Sequence, residues 1–366
     1  MVKGGWEDII SILYRGDKTL IDENADKQRH QQLLDLQALP LERKIQLTQT
    51  RIMEWYNAWD NQCYVSFSGG KDSTVLADIT AQVNKILNCK LVLWFSDTGL
   101  EYPEVRTYIP QFAQYLRDKY QIEVELIFDI PKDKEGKRIT YRRIIEECGY
   151  PVVSKNVAYN IYYYRSAREK GHLETSKIAQ RVNGEYYNPR SGVKSPFNCK
   201  QWKFLVDAPF KISDKCCKLI KKRPAKAFEK RTGLKPVIAT MASESQERKK
   251  QWIQHGCNAF EGERPSSKPL SFWTEEDVLE YADINNIPLL SLYGDIKVDE
   301  NGKHYTTGIN RTGCVYCAFG AHLQKEPNKF QQLKETHPKL YNYCMKPWEE
   351  GGLGMDAVLN YINVKH

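Results

Sequence analysis

The stretch YVSFSGGKDSTVLADI, from Tyr64 to Ile79, decides the fold class of this chain. An apolar run stops at Gly69 and Gly70, and apolar residues resume at Val75. The pattern predicts a buried strand, a tight turn and the first turns of a buried helix. Glycines let the backbone approach an anion closely, and a helix start offers unpaired N–H groups and a partial positive charge. The turn is therefore a predicted phosphate-binding site.

The segments that follow predict further strands and helices in alternation. The apolar strand CKLVLWFSD ends at Asp97, EVRTYIPQFAQYLRDKY has a helical pattern, and EVELIFDI is a further strand. VIATM supplies another strand, and WTEEDVLEYADINNI a helix that begins with Thr274 and Asp277 as a capping box. Buried strands joined by helices favour an α/β fold with a doubly wound parallel sheet, whose ligands bind at the carboxyl ends of the strands.

We divide the chain into four parts. They are an N-terminal helical extension at 1–61, a nucleotide-binding α/β domain at 62–208, a continuation that carries cysteine motifs at 209–320, and a helical tail at 321–366.

The composition favours a cytoplasmic protein with anionic partners. The 366 residues carry a net charge of +8, which suits nucleotides or nucleic acid, although an ordinary lysine-rich surface would give the same value. No apolar run approaches the roughly 18 residues of a membrane span, and the N-terminus lacks the apolar core of a secretory signal, so we expect no membrane partner. In a reducing compartment the ten cysteines are not expected to form a disulfide framework, and clusters among them are expected to bind metal or take part in catalysis.

Four cysteines form two close pairs. Cys216 and Cys217 are adjacent, and Cys314 and Cys317 form a C-x-x-C turn. Thiolates are soft ligands that suit zinc or iron–sulfur centres. Adjacent side chains diverge, which is awkward for one tetrahedral zinc, whereas a cubane separates its iron corners. From the residues alone, an iron–sulfur cluster, zinc and an empty thiol cluster are all open.

The glycine turn resembles a known phosphate-binding loop. SGGKDS is similar to the PP-loop of the ATP pyrophosphatases and of the phosphoadenosine phosphosulfate (PAPS) reductase family, which share an adenine nucleotide alpha-hydrolase-like (HUP) fold. FSDTGLEYPEV resembles the DTG-x-x-x-P-E segment of that family. The resemblance implies catalytic roles for Lys71, Asp72 and Asp97. It implies nucleotide contacts from Ser68, Gly69, Gly70, Lys71, Asp72, Ser73, Asp97 and Thr98.

Two further segments resemble the same family. CC-x-x-x-K-K-x-x-P followed by C-x-x-C is similar to the signature of the reductases that contain iron and sulfur, with the lysine pair one place further on than the usual Arg-Lys pair. This resemblance implies a [4Fe-4S] cluster bound by Cys216, Cys217, Cys314 and Cys317. ATMASESQERKKQW occupies the place of the phosphosulfate-binding segment, so Arg248 is implied as an anion ligand. An arginine expected earlier in that segment is absent, which weakens the case for phosphosulfate.

The resemblance implies an enzyme of nucleotide-activated sulfur transfer. ATP with Mg²⁺ would be converted to AMP and pyrophosphate, a sulfur or electron donor would be required, and nucleic acid is a candidate acceptor. One alternative is a sulfonucleotide reductase that releases sulfite, but the intact SGGKDS favours ATP, and only Cys344 could replace the C-terminal nucleophile of those reductases. Another is a non-catalytic nucleotide- and cluster-binding subunit of a nucleic-acid-modifying complex.

Overall fold

The computed structural model describes residues 23–173, 176–189 and 191–366. The predicted helical extension, 1–61, lies partly outside the described residues, because they begin at residue 23. Its described part contains the helices α1 (Glu23–Gln37) and α2 (Leu41–Ala58). No helix among the described residues is long and apolar enough to cross a membrane.

A six-stranded sheet forms the centre of the protein. The strands of the described chain are β1 (Cys63–Ser66), β2 (Leu91–Ser96), β3 (Val124–Asp129), β4 (Val152–Val153), β5 (Lys235–Val237), β6 (Asn258–Ala259), β7 (Ser266–Ser267), β8 (Ile296–Val298), β9 (His304–Thr306) and β10 (Ala318–Phe319). The central sheet has the order β3-β2-β1-β5-β7-β6, and all its pairs are parallel except β6 with β7. The predicted doubly wound sheet of HUP type is therefore confirmed.

Helices cover both faces of the sheet. After α2 they are α3 (Lys71–Leu87), α4 (Pro103–Tyr120), α5 (Tyr141–Cys148), α6 (Lys155–Glu169), α7 (Lys177–Asn183), α8 (Arg223–Thr232), α9 (Gln246–His255), α10 (Glu275–Ile284), α11 (Lys329–Thr336), α12 (Pro338–Met345) and α13 (Met355–Tyr361). A π-helical turn, Lys218–Lys222, leads directly into α8.

Side chains of the buried strands point alternately to the two faces of the sheet, and helices cover both faces. Tyr64 of β1 packs with Trp94 of β2 against Phe228 of α8, with ring centroids 4.9 to 6.0 Å apart. Val65 and Leu93 point to the opposite face and belong to the main core with α3 and α4. Successive strand residues face opposite sides, so a strand covered on both sides must be apolar throughout.

The strand order places a switch point beside β1. The chain runs outward from β1 to β2 and β3, and returns to β5 on the other side of β1. Loops that leave neighbouring strands in opposite directions open a crevice at the carboxyl ends of those strands. The loop after β1, the predicted phosphate site, borders this crevice.

The structure also differs from the sequence predictions in places. The strand predicted at VIATM, residues 237–241, is found slightly earlier, because β5 ends at Val237. The next four residues belong to no strand, and a helical turn begins at Ala242. The sequence pattern predicts no helix between residues 131 and 200, yet this range contains α5, α6 and α7. The predicted capping box is confirmed, since Thr274 and Asp277 bond each other's backbone N–H groups at 2.7 and 3.4 Å.

Asp277 also anchors α2 to α10 through a buried ion pair. Lys44 Nζ lies 2.7 and 2.8 Å from the two carboxylate oxygens of Asp277, and the lysine is only 3% exposed. We expect Lys44→Ala to lower the free energy of unfolding by about 3–5 kcal/mol, because it leaves a buried carboxylate without its cation. Urea unfolding measures the change.

The matched control for Lys44→Ala is the neighbouring, exposed Arg43. Arg43→Ala should change the free energy of unfolding by no more than about 0.5 kcal/mol. Equal effects from the two substitutions would contradict the role assigned to the ion pair.

Candidate functional site

A cavity of about 280 Å³ opens at the carboxyl ends of the central strands. Its walls include residues 66–68 at the end of β1, residues 94–96 of β2, and Ile238 after β5. They also include Lys221 and Lys222, which follow Cys217, and residues 312 and 313, which precede Cys314. One cavity is thus lined by the glycine loop and by segments next to both cysteine motifs.

The glycine loop is held by its own serines. Ser73 Oγ accepts the N–H of Ser68 at 3.2 Å and donates to the carbonyl of Gly70 at 2.9 Å. Gly69 has a φ of +73°, and a Cβ there would lie 3.2 Å from side chains of α4. Only glycine adopts this conformation without cost at such a close approach, so the loop sequence follows from its geometry.

Lys71 is buried at the start of α3 and is tied to a distant segment. Its ammonium donates to the carbonyl of Asn310 at 2.8 Å and pairs with Glu275 at 2.8 Å, and the residue is 5% exposed. Its backbone N–H donates to the hydroxyl of Tyr293, which also bonds the Thr312 hydroxyl at 3.3 Å. The loop after β1 and the approach to Cys314 are therefore one connected structure.

Asp72 lies beside this connection with one oxygen unpaired. Its buried Oδ1 has no hydrogen-bond partner among the described residues, and burial raises the pKa of the carboxyl while Lys71 and Arg311 oppose the rise. Close by, Glu244 forms ion pairs with both Arg248 and Arg311. The distance from Arg311 Nη1 to Glu244 Oε1 is 3.6 Å. An unsatisfied carboxylate oxygen among arginines can accept a cation or a polar substrate group.

The segment after β2 places one predicted residue in the cavity and another outside its wall. Thr98 lines the cavity, is 3% exposed, and donates to Glu101 at 2.6 Å. Asp97 instead accepts from Arg106 at 2.6 Å and from Arg138 at 3.5 Å. Glu101, which also lines the cavity, offers a carboxylate there.

The adjacent cysteines lie in the first turn of the helix that contains the π-helical turn. Their sulfurs are 3.9 Å apart, with Cys216 donating to Cys217. This bond lowers the pKa of Cys217, burial opposes that effect, and Lys155 and the two cavity lysines lower the pKa further. The same bond and burial raise the pKa of Cys216. The two neighbouring thiols therefore lie in electrostatically different surroundings.

The C-x-x-C turn and Cys216 both lie close to the buried Tyr141. Burial raises the pKa of Tyr141, and the thiols of four surrounding cysteines raise it further. These four are Cys216, Cys314, Cys317 and Cys344. Two of the three segments that carry them are the predicted ligand motifs, so the fold brings both motifs to one place.

Lysines surround these sulfurs. Lys329 Nζ donates to the carbonyls of Cys314 and Cys317 at 2.8 and 2.9 Å. The neighbouring Cys314 raises the pKa of Lys221, which lines the cavity. The Phe319 N–H donates to Cys317, although burial is the stronger influence and raises the pKa of that thiol. Cations and N–H donors around sulfur stabilise a negatively charged thiolate cluster.

These residues fit a [4Fe-4S] cluster by their donor chemistry. Two cysteine pairs from separate segments meet among lysines, which is the setting that a thiolate-bound cubane requires. In the described part of the chain, no three His, Cys, Asp or Glu side chains are arranged to hold a metal ion. The fit therefore depends on the sulfur and lysine composition of the site rather than on a preformed ligand geometry.

Cys344 is unsuited to the nucleophilic role considered from the sequence. It lies in α12 with no exposed surface, and burial raises the pKa of its thiol to about 12. A nucleophilic cysteine needs a lowered pKa and access to substrate. In this conformation Cys344 has neither.

The predicted site residues are distributed around the cavity. Those in its wall are Ser68 and Thr98, and those next to the wall are Gly69, Gly70, Lys71, Asp72 and Ser73. Asp97 and Arg248 are held in the ion pairs described above. No sequence pattern pointed to four other residues, namely Arg264 and Thr312 in the wall, Tyr141 among the cysteines, and Lys329. They belong to no recognised motif, and their positions depend on tertiary packing.

Comparisons with known proteins identify the family. The sequence model of the phosphoadenosine phosphosulfate reductase domain matches residues 62–147 and 168–319. No curated protein gives a significant match. Matching solved structures include U34-tRNA thiolase NcsA from Methanococcus maripaludis with its [4Fe-4S] cluster, at 16% identity and a TM-score of 0.34. The alignment covers 68% of this chain and 66% of that one, so the chain spans about two thirds of that protein. A similarity this distant carries no argument about activity.

The hydroxyl of Tyr293 is a direct test of the connection between the loop and the cysteine segment. Tyr293→Phe removes the acceptor of the Lys71 N–H and the partner of Thr312, and the free energy of unfolding should fall by about 1–3 kcal/mol. Tyr305→Phe, at an exposed tyrosine of β9, is the control and should have little effect. If both variants unfold like the wild-type protein, the hydroxyl does not hold the two segments together.

Proposed function

Because the chain belongs to the phosphoadenosine phosphosulfate reductase domain family, we propose that it catalyses nucleotide-activated sulfur transfer. Members of this family bind an adenine nucleotide. The supporting observation is the single cavity whose walls come from the glycine loop and from the segments next to both cysteine motifs. A nucleotide and a sulfur-bearing centre could meet there without passing through solvent.

The loop would hold the phosphates of ATP. The N–H groups at the start of α3 and the hydroxyls of Ser68 and Ser73 are the donors, and Lys71 would exchange its bond to Asn310 for a phosphate oxygen. Asp72 would offer its unpaired Oδ1 to the Mg²⁺ that accompanies ATP. Arg248, beside Asp72, would meet the outer phosphates as a forked donor.

The proposed reaction has two displacements. An oxygen of the acceptor attacks the α-phosphorus of ATP, a new P–O bond forms, and pyrophosphate leaves with the electron pair of the broken bond. A sulfur nucleophile at the oxidation level of hydrosulfide then attacks the activated carbon. The C–S bond forms as the C–O bond breaks, and AMP leaves. Thr98 and Glu101 line the cavity where the acceptor would be oriented.

A [4Fe-4S] cluster held by Cys216, Cys217, Cys314 and Cys317 would have one cysteine on each iron, and it would supply redox chemistry beside the cavity. The residues of the chain have separate tasks in this arrangement. Lys329 fixes the C-x-x-C backbone, and Lys221 and Lys222 place positive charge between the sulfurs and the nucleotide.

The primary test compares ATP and PAPS on the same protein. Calorimetry on anaerobically purified protein should give tight binding of ATP with magnesium and weak binding of PAPS. Tight PAPS with weak ATP would overturn the proposal in favour of sulfonucleotide reduction. Nucleotide binding without any pyrophosphate release, in the presence of donor and candidate acceptors, would favour the non-catalytic subunit.

Lys71 tests the loop. Lys71→Ala should weaken nucleotide binding by about 1.5–3 kcal/mol, the scale of a charged hydrogen bond. Lys85→Ala, an exposed lysine in the last turn of the same helix, is the matched control and should bind like the wild type. Unchanged affinity of Lys71→Ala for every adenine nucleotide would remove the loop from the proposed site.

Cys314 tests the cluster. Anaerobic wild-type protein should absorb near about 400 nm through thiolate-bound iron, and Cys314→Ser should lose most of that absorbance. Cys89→Ser, at a half-buried cysteine outside both motifs, should keep it. Colourless wild-type protein with stoichiometric zinc would show that the thiols hold zinc instead.

A further inference from the structure

The positive charge of the chain is concentrated in one segment. Residues 148–231 contain 19 Lys and Arg and 6 Asp and Glu, a surplus of 13, whereas the whole chain has a surplus of 8. The remaining residues are therefore net negative. The basic segment includes Cys216 and Cys217, so the charge surrounds one of the two proposed cluster motifs.

An exposed row of aromatic rings crosses this segment on α6. We call it the tyrosine stripe, and it consists of Lys155, Tyr159, Tyr162 and Tyr163. Residues three or four positions apart share a helix face. Tyr159 and Tyr163 are 39% and 41% exposed, and their ring centroids are 4.5 Å apart. The ring centroids of Tyr162 and Tyr163 are 5.1 Å apart.

Two lysines lie at this row of rings. Lys155 is the first residue of α6 and of the stripe. Lys215 Nζ lies 3.7 Å from the ring centroid of Tyr162, and Lys215 directly precedes Cys216 in the sequence. The stripe therefore lies beside the segment that carries two of the proposed cluster ligands.

A second aromatic group is fixed beside α6. Asn156 and Asn160 both donate to the carbonyl of Phe197, at 3.3 and 3.2 Å, and the Phe197 ring is 50% exposed. The guanidinium of Arg181 lies 5.9 Å from that ring and 4.9 Å from the ring of Tyr186. Aromatic rings and cations are thus interleaved on more than one side of α6.

The family match does not account for the tyrosine stripe. The sequence model of the family skips residues 148–167, which contain all four residues of the stripe. The stripe is therefore a feature of this chain in addition to the shared nucleotide-binding core.

The chemistry of the surface favours one class of partner. Protein interfaces are depleted in lysine at their centres, whereas proteins that bind single-stranded nucleic acid combine a basic groove with aromatic rings on which bases stack. In a duplex the bases are already stacked on each other, so their faces are unavailable to a tyrosine. Exposed tyrosines among lysines fit unpaired bases and their phosphates.

We propose that the tyrosine stripe binds single-stranded nucleic acid, with bases stacked on Tyr159 and Tyr163 and phosphates next to Lys155 and Lys215. This deepens the proposed function, on which it rests for the role of the strand as the sulfur acceptor. A base extended past Lys155 would approach the cysteine motifs.

The test measures binding of labelled oligonucleotides to the full-length protein. The probes are fluorescein-labelled single strands of RNA and of DNA of about 20 nucleotides, longer than the roughly 4–16 that a single-strand-binding fold covers, and the matching duplexes. Anisotropy at about 0.15 M salt should show single strands binding more tightly than duplexes. Comparison of the RNA and DNA probes shows which of the two nucleic acids the protein prefers.

Variants separate stacking from charge. Tyr159→Ala/Tyr163→Ala should weaken single-strand binding at least about tenfold, because each stacked base contributes substantially. Tyr159→Phe/Tyr163→Phe keeps both rings and should bind nearly as the wild type does, which also controls for folding. Lys155→Gln and Lys215→Gln should each reduce the slope of log K against log salt by about 0.7.

Exposed residues elsewhere are the controls. Tyr305→Ala and Lys325→Gln lie outside the basic segment and should leave binding unchanged. Absence of single-strand binding by the wild type would overturn the inference, and so would equal losses in Tyr159→Ala/Tyr163→Ala and Tyr305→Ala. Preference for duplex would overturn it as well.

ATP calorimetry on the same preparations distinguishes this inference from the proposed function. Loss of ATP binding by Lys71→Ala with normal oligonucleotide binding would support two separate sites. Wild-type protein that binds single strands through its tyrosines but no ATP would contradict the proposed function and leave the tyrosine stripe established.

Discussion

The arrangement of the site depends on the buried ammonium of Lys71. A cation that is 5% exposed is costly unless it is paired and hydrogen-bonded, and its acceptors here are the carbonyl of Asn310 and the carboxylate of Glu275. Asn310 stands four residues before Cys314, and Glu275 begins α10. One side chain at the start of α3 therefore fixes the cysteine segment relative to the glycine loop. The cavity between them exists because these distant parts of the sequence must meet at Lys71.

Positive charge around the cysteines follows from the same principle. Thiolates in a partly buried site require cations or N–H donors, and this chain provides lysines from three separate segments. The lysines that stabilise the sulfurs also continue outward onto the exposed surface of α6. Lysines that stabilise thiolates also attract polyanions such as nucleic acid to the surface around the cysteine motifs.

Local patterns were reliable where they involved residues close in sequence. Thr274 and Asp277 cap α10 as their spacing predicts. The helices between residues 131 and 200 were missed because their apolar positions are sparse: α6 buries five of its residues but also exposes tyrosines and lysines along its length. Val153, a β-branched residue with a φ of +61°, could not be foreseen either. It lies in β4, which pairs with β10, the strand that directly follows Cys317.

The sequence by itself determined the strand–loop–helix unit at Tyr64 to Ile79, the doubly wound sheet and the identity of the cysteine motifs. These features depend on periodicity, glycine conformation and short spacing, which act within one or two elements of the chain. The tertiary structure alone decided that Lys71 bonds Asn310, that Tyr141 and Lys329 lie among the sulfurs, and that Cys344 is buried. Such contacts join residues separated by many positions, and only the packing of the whole chain determines which of them meet.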